Sequence, residues 1–128
     1  KLKTPIIVII TGEGGSGGAL AIGVGDHIAI LEHATYSVAS PEACASIIWR
    51  TAEKASDAAE AMKVSAQELI KIKIVDEIIK EPLGGAHRDY KEISESVRSC
   101  ILKNLGTLLS KSLDDLLEAR YKKLLEIG

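Results

Sequence analysis

The hydrophobic pattern divides the chain into a first part with strand-like runs and a second part with helical stripes. Residues 6–10 are apolar at every position, which is typical of a strand buried on both faces of a sheet. Residues 28–31, 35–38 and 74–79 predict three further strands. A strand like the first needs neighbours, and the rest of the sequence offers few strong candidates, so we expect upstream strands that this sequence does not contain.

Cap residues predict short helices between these strands. Serine or aspartate is a preferred N-cap, and proline is favoured at the first helical position. The first predicted helix covers 18–24 and stops at Gly25 and Asp26, and the second runs from Pro41 to about Lys54 with Ser40 as its cap. The third covers 58–62 with Asp57 as its cap. The fourth covers 66–72, and its capping box pairs Ser65 with Glu68.

The last third of the chain predicts a turn and two amphipathic helices. The turn covers residues 82–85, and it is followed by apolar residues at every fourth position from Ile93 to Leu105. Ser112 and Asp115 form a capping pair before a second apolar stripe, which consists of leucines and Tyr121, and Gly128 suits the end of that helix. We therefore expect an α/β domain over 1–86 and a helical extension over 87–128.

Composition narrows the functional class. The net charge is −2, and the apolar residues are aliphatic, with no Phe, one Trp and three Tyr. This argues against a nucleic-acid binder, which usually has a basic face. Cys44 and Cys100 belong to no paired CxxC arrangement, so we expect no metal site and a reducing compartment. The run over 6–10 is too short to span a membrane, and we expect a cytoplasmic location.

Candidate chemistry is concentrated in one glycine-dense segment. Seven of the 11 glycines lie between positions 12 and 25, where a strand leads into a helix. At such a junction, backbone N–H groups point outward with the helix dipole behind them, which makes an anion site.

Four interpretations of this segment stay open on the residues alone. Gly12-x-Gly14-x-x-Gly17 fits a dinucleotide fingerprint with Glu32 twenty residues after its first glycine, and Gly14-x-Ser16-x-Gly18 fits a nucleophile elbow with Asp76 and His87. The glycines also fit an oxyanion hole made of backbone amides, or a tight junction without chemistry. A phosphate loop is excluded because no Gly-Lys-Ser/Thr follows.

Longer segments resemble a known family. They are residues 12–26 (GEGGSGGALAIGVGD), 36–38 (YSV), 40–47 (SPEACASI), 81–88 (EPLGGAHR) and 120–123 (RYKK). Together they resemble the alpha-subunit family of the acetyl-CoA carboxylase carboxyltransferase over nearly the whole chain. That family belongs to the crotonase superfamily, whose sites polarise a carbonyl or stabilise an enolate with backbone N–H groups. The resemblance implies the carboxyl-terminal half of a crotonase-like core with a helical tail.

The resemblance also implies site residues. Gly17 matches the glycine whose amide lies in the oxyanion hole, and Gly18 follows it. The implied substrate-binding residues are Gly14, Gly15, Ser16, Pro41 and Glu42. Glu42 falls where superfamily hydratases keep one catalytic glutamate, but Leu20 falls at their second, which disfavours a hydratase or isomerase. The resemblance implies no role for His27, His33, His87 or Arg88.

The activity implied is carboxyl transfer from carboxybiotin to acetyl-CoA, which gives malonyl-CoA and begins fatty acid synthesis. The implied partners are a zinc-containing beta subunit, the biotin carboxyl carrier protein and biotin carboxylase, in cytoplasm or plastid stroma. We expect the chain alone to be inactive and prone to aggregate. An NAD(P)-binding module or a non-catalytic assembly fragment is the alternative.

Overall fold

Five strands and six α-helices lie within residues 2–127, the part of the chain that this computed structural model describes. The prediction for Gly128 therefore lies outside the described residues. The strands are β1 (Ile7–Ile10), β2 (Glu13–Gly15), β3 (His27–Leu31), β4 (Thr35–Ser37) and β5 (Glu77–Ile79). The helices are α1 (Ser16–Ile22), α2 (Pro41–Trp49), α3 (Ala55–Met62), α4 (Ala66–Lys71), α5 (Tyr90–Leu109) and α6 (Leu113–Leu125), with a 3-10 turn over Ala52–Lys54.

The strands form two parallel sheets. The first has the order β1-β3-β5, with Ile7 paired to His27 and Ala29 paired to Glu77. The second pairs β2 with β4, with Gly14 opposite Tyr36. The glycine segment thus leaves the first sheet after β1, runs beside β4 in the second, and enters α1.

The core lies around β3, the central strand of the first sheet. Ile28, Ala29, Ile30 and Leu31 are all buried, which the apolar sequence of this strand predicts. Side chains from β5, α4 and α5 complete the core, and its members are aliphatic apart from Cys100. An interior without Phe or Trp therefore forms as the composition predicts.

β1 differs from its prediction as a strand buried on both faces. Ile7, Val8 and Ile9 are only half-buried, and Ile10 alone is buried. The reason is the strand order, because β1 pairs with β3 on one side and its other edge is unpaired among residues 2–127. An open edge of this kind is a site where another strand can add.

The first two helices begin and end differently from their predictions. α1 covers Ser16–Ile22 instead of 18–24, because residues 13–15 form a strand and Ser16 starts the helix. α2 begins at Pro41 with Ser40 as its cap, as predicted, since the Ser40 hydroxyl accepts from the Ala43 N–H at 3.2 Å. It ends at Trp49 instead of Lys54, because Arg50 has φ of 59° and leaves the helix.

Two predicted caps differ from the structure, one in its position and one in its hydrogen bonds, although their helices exist. Asp57 lies in the first turn of α3, which begins at Ala55, and does not cap it. Ser65 precedes α4, but its side chain accepts no capping hydrogen bond; its backbone carbonyl accepts from Glu68 and Leu69 instead. The last strand is shorter than residues 74–79, because only Glu77–Ile79 align with β3.

The two C-terminal helices are tied to the sheet by different means. α5 contributes Ile93 and Cys100 to the core around β3. α6 begins with the predicted pair, in which the Ser112 hydroxyl accepts from the Asp115 N–H at 3.1 Å. It is held by a buried cation, Arg120, whose guanidinium contacts both carboxylate oxygens of Asp26 at 2.8 Å.

Within residues 2–127, no helix is both long enough and apolar enough to cross a membrane.

Candidate functional site

The junction between β2 and α1 is the sharpest feature of the glycine segment. Gly15 is the N-cap of α1 in an extended conformation, and Ser16 has φ of 65°. A left-handed conformation is uncommon at a residue other than glycine and turns the chain abruptly. Two glycines follow at once, so the first amides of α1 are presented on a tight turn.

The amides of Gly17 and Gly18 have no carbonyl to bind within α1, because the first N–H groups of a helix lack an intrahelical partner. In residues 2–127, neither donates to a backbone carbonyl outside the helix. A Cβ built on either glycine meets no described atom within 4 Å. Both glycines are exposed, so two adjacent N–H donors are accessible to a ligand.

A cavity of 390 Å³ lies beside this turn, and Ser16 and Gly17 form part of its wall. The other lining residues come from α1, β4 and the segments around α3 and α4: Leu20, Tyr36, Ser37, Val38, Met62, Lys63, Leu69, Ile72 and Ile74. The wall is therefore mainly apolar, and it includes the turn at Ser16 and Gly17.

The titratable groups of this wall are few. Tyr36 and Lys63 are its ionisable side chains, and no carboxylate or imidazole stands among these described lining residues. Burial raises the pKa of the Tyr36 hydroxyl, which keeps it protonated as a donor. Leu20, an apolar residue, also lines this cavity. The wall thus favours stabilisation by amides over acid–base catalysis.

The other predicted glycines face a second cavity. Gly14 and Gly15 line a 440 Å³ cavity along β1, together with residues such as Val8, Ile10 and Tyr36. Tyr36 borders both cavities, because its ring lies next to Gly14 and its hydroxyl reaches Ala19. The structure therefore distributes the glycine segment over two neighbouring cavities.

Pro41 and Glu42 line neither of these cavities. Pro41 occupies the first position of α2 and Glu42 is an exposed acid in its first turn. Both positions suit helix initiation, because proline is pre-organised there and an acid interacts favourably with the helix dipole. Their contact with substrate stays a prediction.

The groups of the alternative motifs are engaged elsewhere. Ser16 lines the 390 Å³ cavity, whereas His87 lines a separate 620 Å³ cavity under α5. The Asp76 carboxylate accepts from the Ile28 N–H at 2.7 Å and contacts Lys123. The Glu32 carboxylate accepts from the Glu81 N–H at 3.3 Å. The structure therefore assembles no Ser16-His87-Asp76 triad.

His27 belongs to a polar cluster between the sheet and α5. Ligand atoms of His27, Glu77 and Cys100 lie within 4.8 Å of one another, a set of residue types that can bind a metal. However, the Asn104 amide donates to Glu77 at 2.9 Å and lies 3.5 Å from the Cys100 sulfur. Burial and the nearby Glu77 charge raise the pKa of Cys100, which favours the thiol over the metal-binding thiolate. The arrangement is a hydrogen-bonded tie between α5 and β5.

His33, His87 and Arg88 lie around the turn after β5. The buried Glu81 carboxylate accepts from the His33 N–H at 3.0 Å and from the Ala86 N–H at 2.7 Å. Burial alone would raise the pKa of Glu81, but these hydrogen bonds lower it. The Arg88 side chain packs over Gly84. Glu81 therefore fixes the turn, which the sequence motif did not reveal.

The chain matches a protein family over its whole length. Residues 1–128 match the family described as "Acetyl co-enzyme A carboxylase carboxyltransferase-like". Its relatives include proteins named acetyl-coenzyme A carboxylase carboxyl transferase subunit alpha from Azotobacter vinelandii, 57% identical over 128 residues, and from Pseudomonas putida, 56% identical over 128 residues. The match covers 100% of this chain in both cases, but 40% and 41% of the relatives. The expectation that the chain is the carboxyl-terminal part of such a subunit is not supported by these matches.

A solved structure shares the fold. It is a chain of a Pseudomonas malonate decarboxylase hetero-tetramer in complex with coenzyme A, with a TM-score of 0.65 and 20% sequence identity. The similarity covers 94% of this chain and 51% of that one. At this identity the likeness shows the fold alone, an α/β fold of the crotonase-like kind that the resemblance implies.

Proposed function

Because the chain belongs to the acetyl-CoA carboxylase carboxyltransferase family by its match over residues 1–128, we propose that it supplies part of a carboxyltransferase site. The reaction is the transfer of a carboxyl group from carboxybiotin to acetyl-CoA, which gives malonyl-CoA. The observation that carries the proposal is the pair of free amides at Gly17 and Gly18, on a turn whose Ser16 and Gly17 line an apolar cavity.

The proposed role of these amides is electrostatic. When the bond between the biotin nitrogen and the carboxyl carbon breaks, CO2 is released and negative charge develops on the ureido oxygen. Two N–H donors aimed at that oxygen stabilise the charge, because their hydrogen bonds strengthen as it forms. Losing one donor of this type costs about 3 kcal/mol of transition-state stabilisation.

The apolar wall supports this role. Leu20, Met62 and Leu69 line the same cavity as Gly17, so a substrate seated there would cover the exposed amides and displace water from them. Hydrogen bonds to a developing anion are stronger where water is absent. Gly14, Gly15 and Ser16 shape the turn that presents the amides. Contact of these residues with substrate, like that of Pro41 and Glu42, is part of the proposal.

The remaining parts of the reaction are proposed to come from partners. In this family the acetyl-CoA enolate is expected to be stabilised by a second oxyanion hole on a beta subunit, which also carries zinc. The carboxybiotin would arrive on the biotin carboxyl carrier protein, after its carboxylation by biotin carboxylase. The relatives' name, which identifies a subunit, supports a multi-subunit enzyme.

Gly17→Ala in a complete alpha subunit, assembled with a beta subunit, tests the proposal. A Cβ at this position meets no described atom within 4 Å, so the fold accepts it. It would nevertheless project beside the amide that approaches the substrate. We expect malonyl-CoA-dependent carboxylation of biocytin to fall at least 10-fold, with the 100- to 1000-fold effect of losing an oxyanion donor outright as the upper limit.

Gly106→Ala is the matched control. Gly106 lies in α5, is exposed, and also has no described atom within 4 Å of its Cβ position. Alanine has the higher helix propensity by about 1 kcal/mol, so neither substitution should destabilise its helix. Equal activity of the two variants in correctly assembled complexes would refute the oxyanion role and leave assembly as the function of this segment.

A further inference from the structure

The side chain of Tyr36 crosses from β4 to the middle of α1. Its hydroxyl donates to the Ala19 carbonyl at 3.0 Å, inside the helix that carries the Gly17 and Gly18 amides. The same carbonyl accepts from the Gly23 N–H at 2.8 Å. Tyr36 thus binds the helix at the residue that follows Gly18.

Two glycines make room for this side chain. A Cβ on Gly14 would lie 2.7 Å from the Tyr36 ring, and a Cβ on Gly23 would lie 2.3 Å from its hydroxyl oxygen. Real Cβ atoms do not approach other atoms so closely, so glycine at both positions is explained by Tyr36. By contrast, the Gly17 and Gly18 Cβ positions are open. The glycine segment therefore serves two purposes: Gly14 and Gly23 leave space for the Tyr36 side chain, and Gly17 and Gly18 leave space for a ligand.

Helix α1 has little else to hold it in place. It has seven residues, none of them buried, and no side-chain cap. A helix this short is not stable in water by itself, so its orientation depends on contacts with the rest of the protein. Tyr36 is well placed to supply one, because its own N–H donates to the Val64 carbonyl at 3.1 Å and its strand pairs with β2.

We propose that Tyr36 is a positioning residue for the amides of Gly17 and Gly18: by fixing the Ala19 carbonyl, its hydroxyl sets the direction of α1 and of its first N–H groups. This inference rests on the proposed function and adds the residue that orients the site. Tyr36 acts through the helix and not on the substrate, so its loss affects the transition state, where alignment of the donors matters most.

Tyr36→Phe in the assembled enzyme tests this inference, because it removes the hydroxyl and keeps the ring. We expect kcat to fall about 3- to 10-fold, the range for one typical hydrogen bond, with KM within about twofold of the unchanged enzyme. Deuterium exchange at the Gly23 amide should quicken by a similar factor, since it shares the Ala19 carbonyl. Tyr121→Phe, at an exposed tyrosine of α6, is the control and should change neither quantity.

Gly23→Ala provides an independent variant. Its Cβ would displace the Tyr36 hydroxyl, so it should lower kcat by a similar factor. Combining it with Tyr36→Phe should lower kcat little further than the worse single variant, because both remove the same contact. Fully additive losses would overturn the inference.

Three outcomes separate this inference from the proposed function. If Gly17→Ala loses activity while Tyr36→Phe keeps its kcat, the amides act but Tyr36 does not position them. If Tyr36→Phe raises KM at constant kcat, the hydroxyl binds substrate, and positioning is refuted. If Gly17→Ala keeps full activity, the proposed function has failed, and unchanged exchange at Gly23 in Tyr36→Phe would then overturn the anchoring role as well.

Discussion

Removing the Arg120 guanidinium should release α6 from the sheet. Arg120 forms two 2.8 Å hydrogen bonds with the Asp26 carboxylate, and it donates to the carbonyls of Leu2 at 2.9 Å and Thr4 at 2.7 Å. The Arg120 and Asp26 side chains are only 10% and 3% exposed. The hydrogen bonds that Arg120 donates to Asp26 raise the pKa of Arg120, so its guanidinium stays charged at neutral pH.

The size of the effect follows from what the substitution leaves behind. In Arg120→Ala, the Asp26 carboxylate keeps the Ile6 N–H at 2.7 Å but loses its buried counter-charge. Leaving one partner of a buried ion pair uncompensated costs about 3–5 kcal/mol. Arg98→Ala is the matched control, because Arg98 pairs with Glu95 at 3.5 Å while both are about two-thirds exposed. A surface pair of that kind contributes at most about 1 kcal/mol.

Hydrogen exchange in the complete subunit measures this directly, since it reports the local opening of each element. The Leu116 amide, which donates to Ser112 in the first turn of α6, should exchange roughly 100-fold faster in Arg120→Ala, as about 3 kcal/mol implies. The Cys44 amide of α2 should not change. Adding Asp26→Asn should recover part of the loss, because the unpaired charge disappears. An Arg120→Ala effect no larger than that of Arg98→Ala would refute the reasoning.

Two further predictions concern the sheet and its turn. Glu81→Gln should destabilise the turn after β5 by about 1.5 kcal/mol at pH 7, because the buried carboxylate holds two N–H groups. Because the pKa of Glu81 is lowered, the stability that it contributes is complete above the ordinary carboxyl pKa of about 4.3 and disappears as the pH falls through the lower folded value. Hydrogen exchange at the Ala86 amide should therefore differ between the unchanged protein and Glu81→Gln at pH 7 and become equal in acid. A difference that does not change with pH would contradict this. Ile30→Ala should lower the free energy of unfolding in urea by about 2–5 kcal/mol, because Ile30 is fully buried. Ile47→Ala, at a residue that is 77% exposed, should lower it by less than about 0.5 kcal/mol. Similar losses in the two variants would place the core elsewhere.

Local signals in the sequence predict most of the elements. The apolar run at 28–31 becomes the buried centre of β3, and the Ser40-Pro41 and Ser112-Asp115 pairs begin α2 and α6 as expected. Each of these signals acts over a few residues, so tertiary context is not needed to read it. Where the structure disagrees, the cause is tertiary or conformational. β1 is less buried because its outer edge is unpaired within residues 2–127, and α2 stops early because Arg50 adopts a left-handed conformation.

Contacts between distant residues were not predictable from the sequence. Asp26 and Arg120 are 94 positions apart, and the periodicity of α6 placed its buried face on leucines and Tyr121. The helix instead turns Arg120 inward, and Tyr121 is 66% exposed. Tyr36 likewise carries no local signal for its role, although two glycines of the most distinctive motif are explained by it. Single sequences show which residues are unusual, but the partner that makes them necessary becomes visible in the fold.

The composition of the cavity wall constrains how this chain would act in the proposed carboxyl transfer. Forming the acetyl-CoA enolate requires a proton acceptor, but no carboxylate or imidazole stands in the described wall, and the raised pKa of Tyr36 keeps its hydroxyl protonated. A protonated hydroxyl does not suit a general base at neutral pH. The amides of Gly17 and Gly18 can stabilise charge without exchanging a proton. In the proposed reaction, the acceptor would then come from outside this wall. Accordingly, Gly17→Ala should lower kcat without moving the pKa values of its pH profile, and a displaced profile would show that this cavity takes part in the proton transfer.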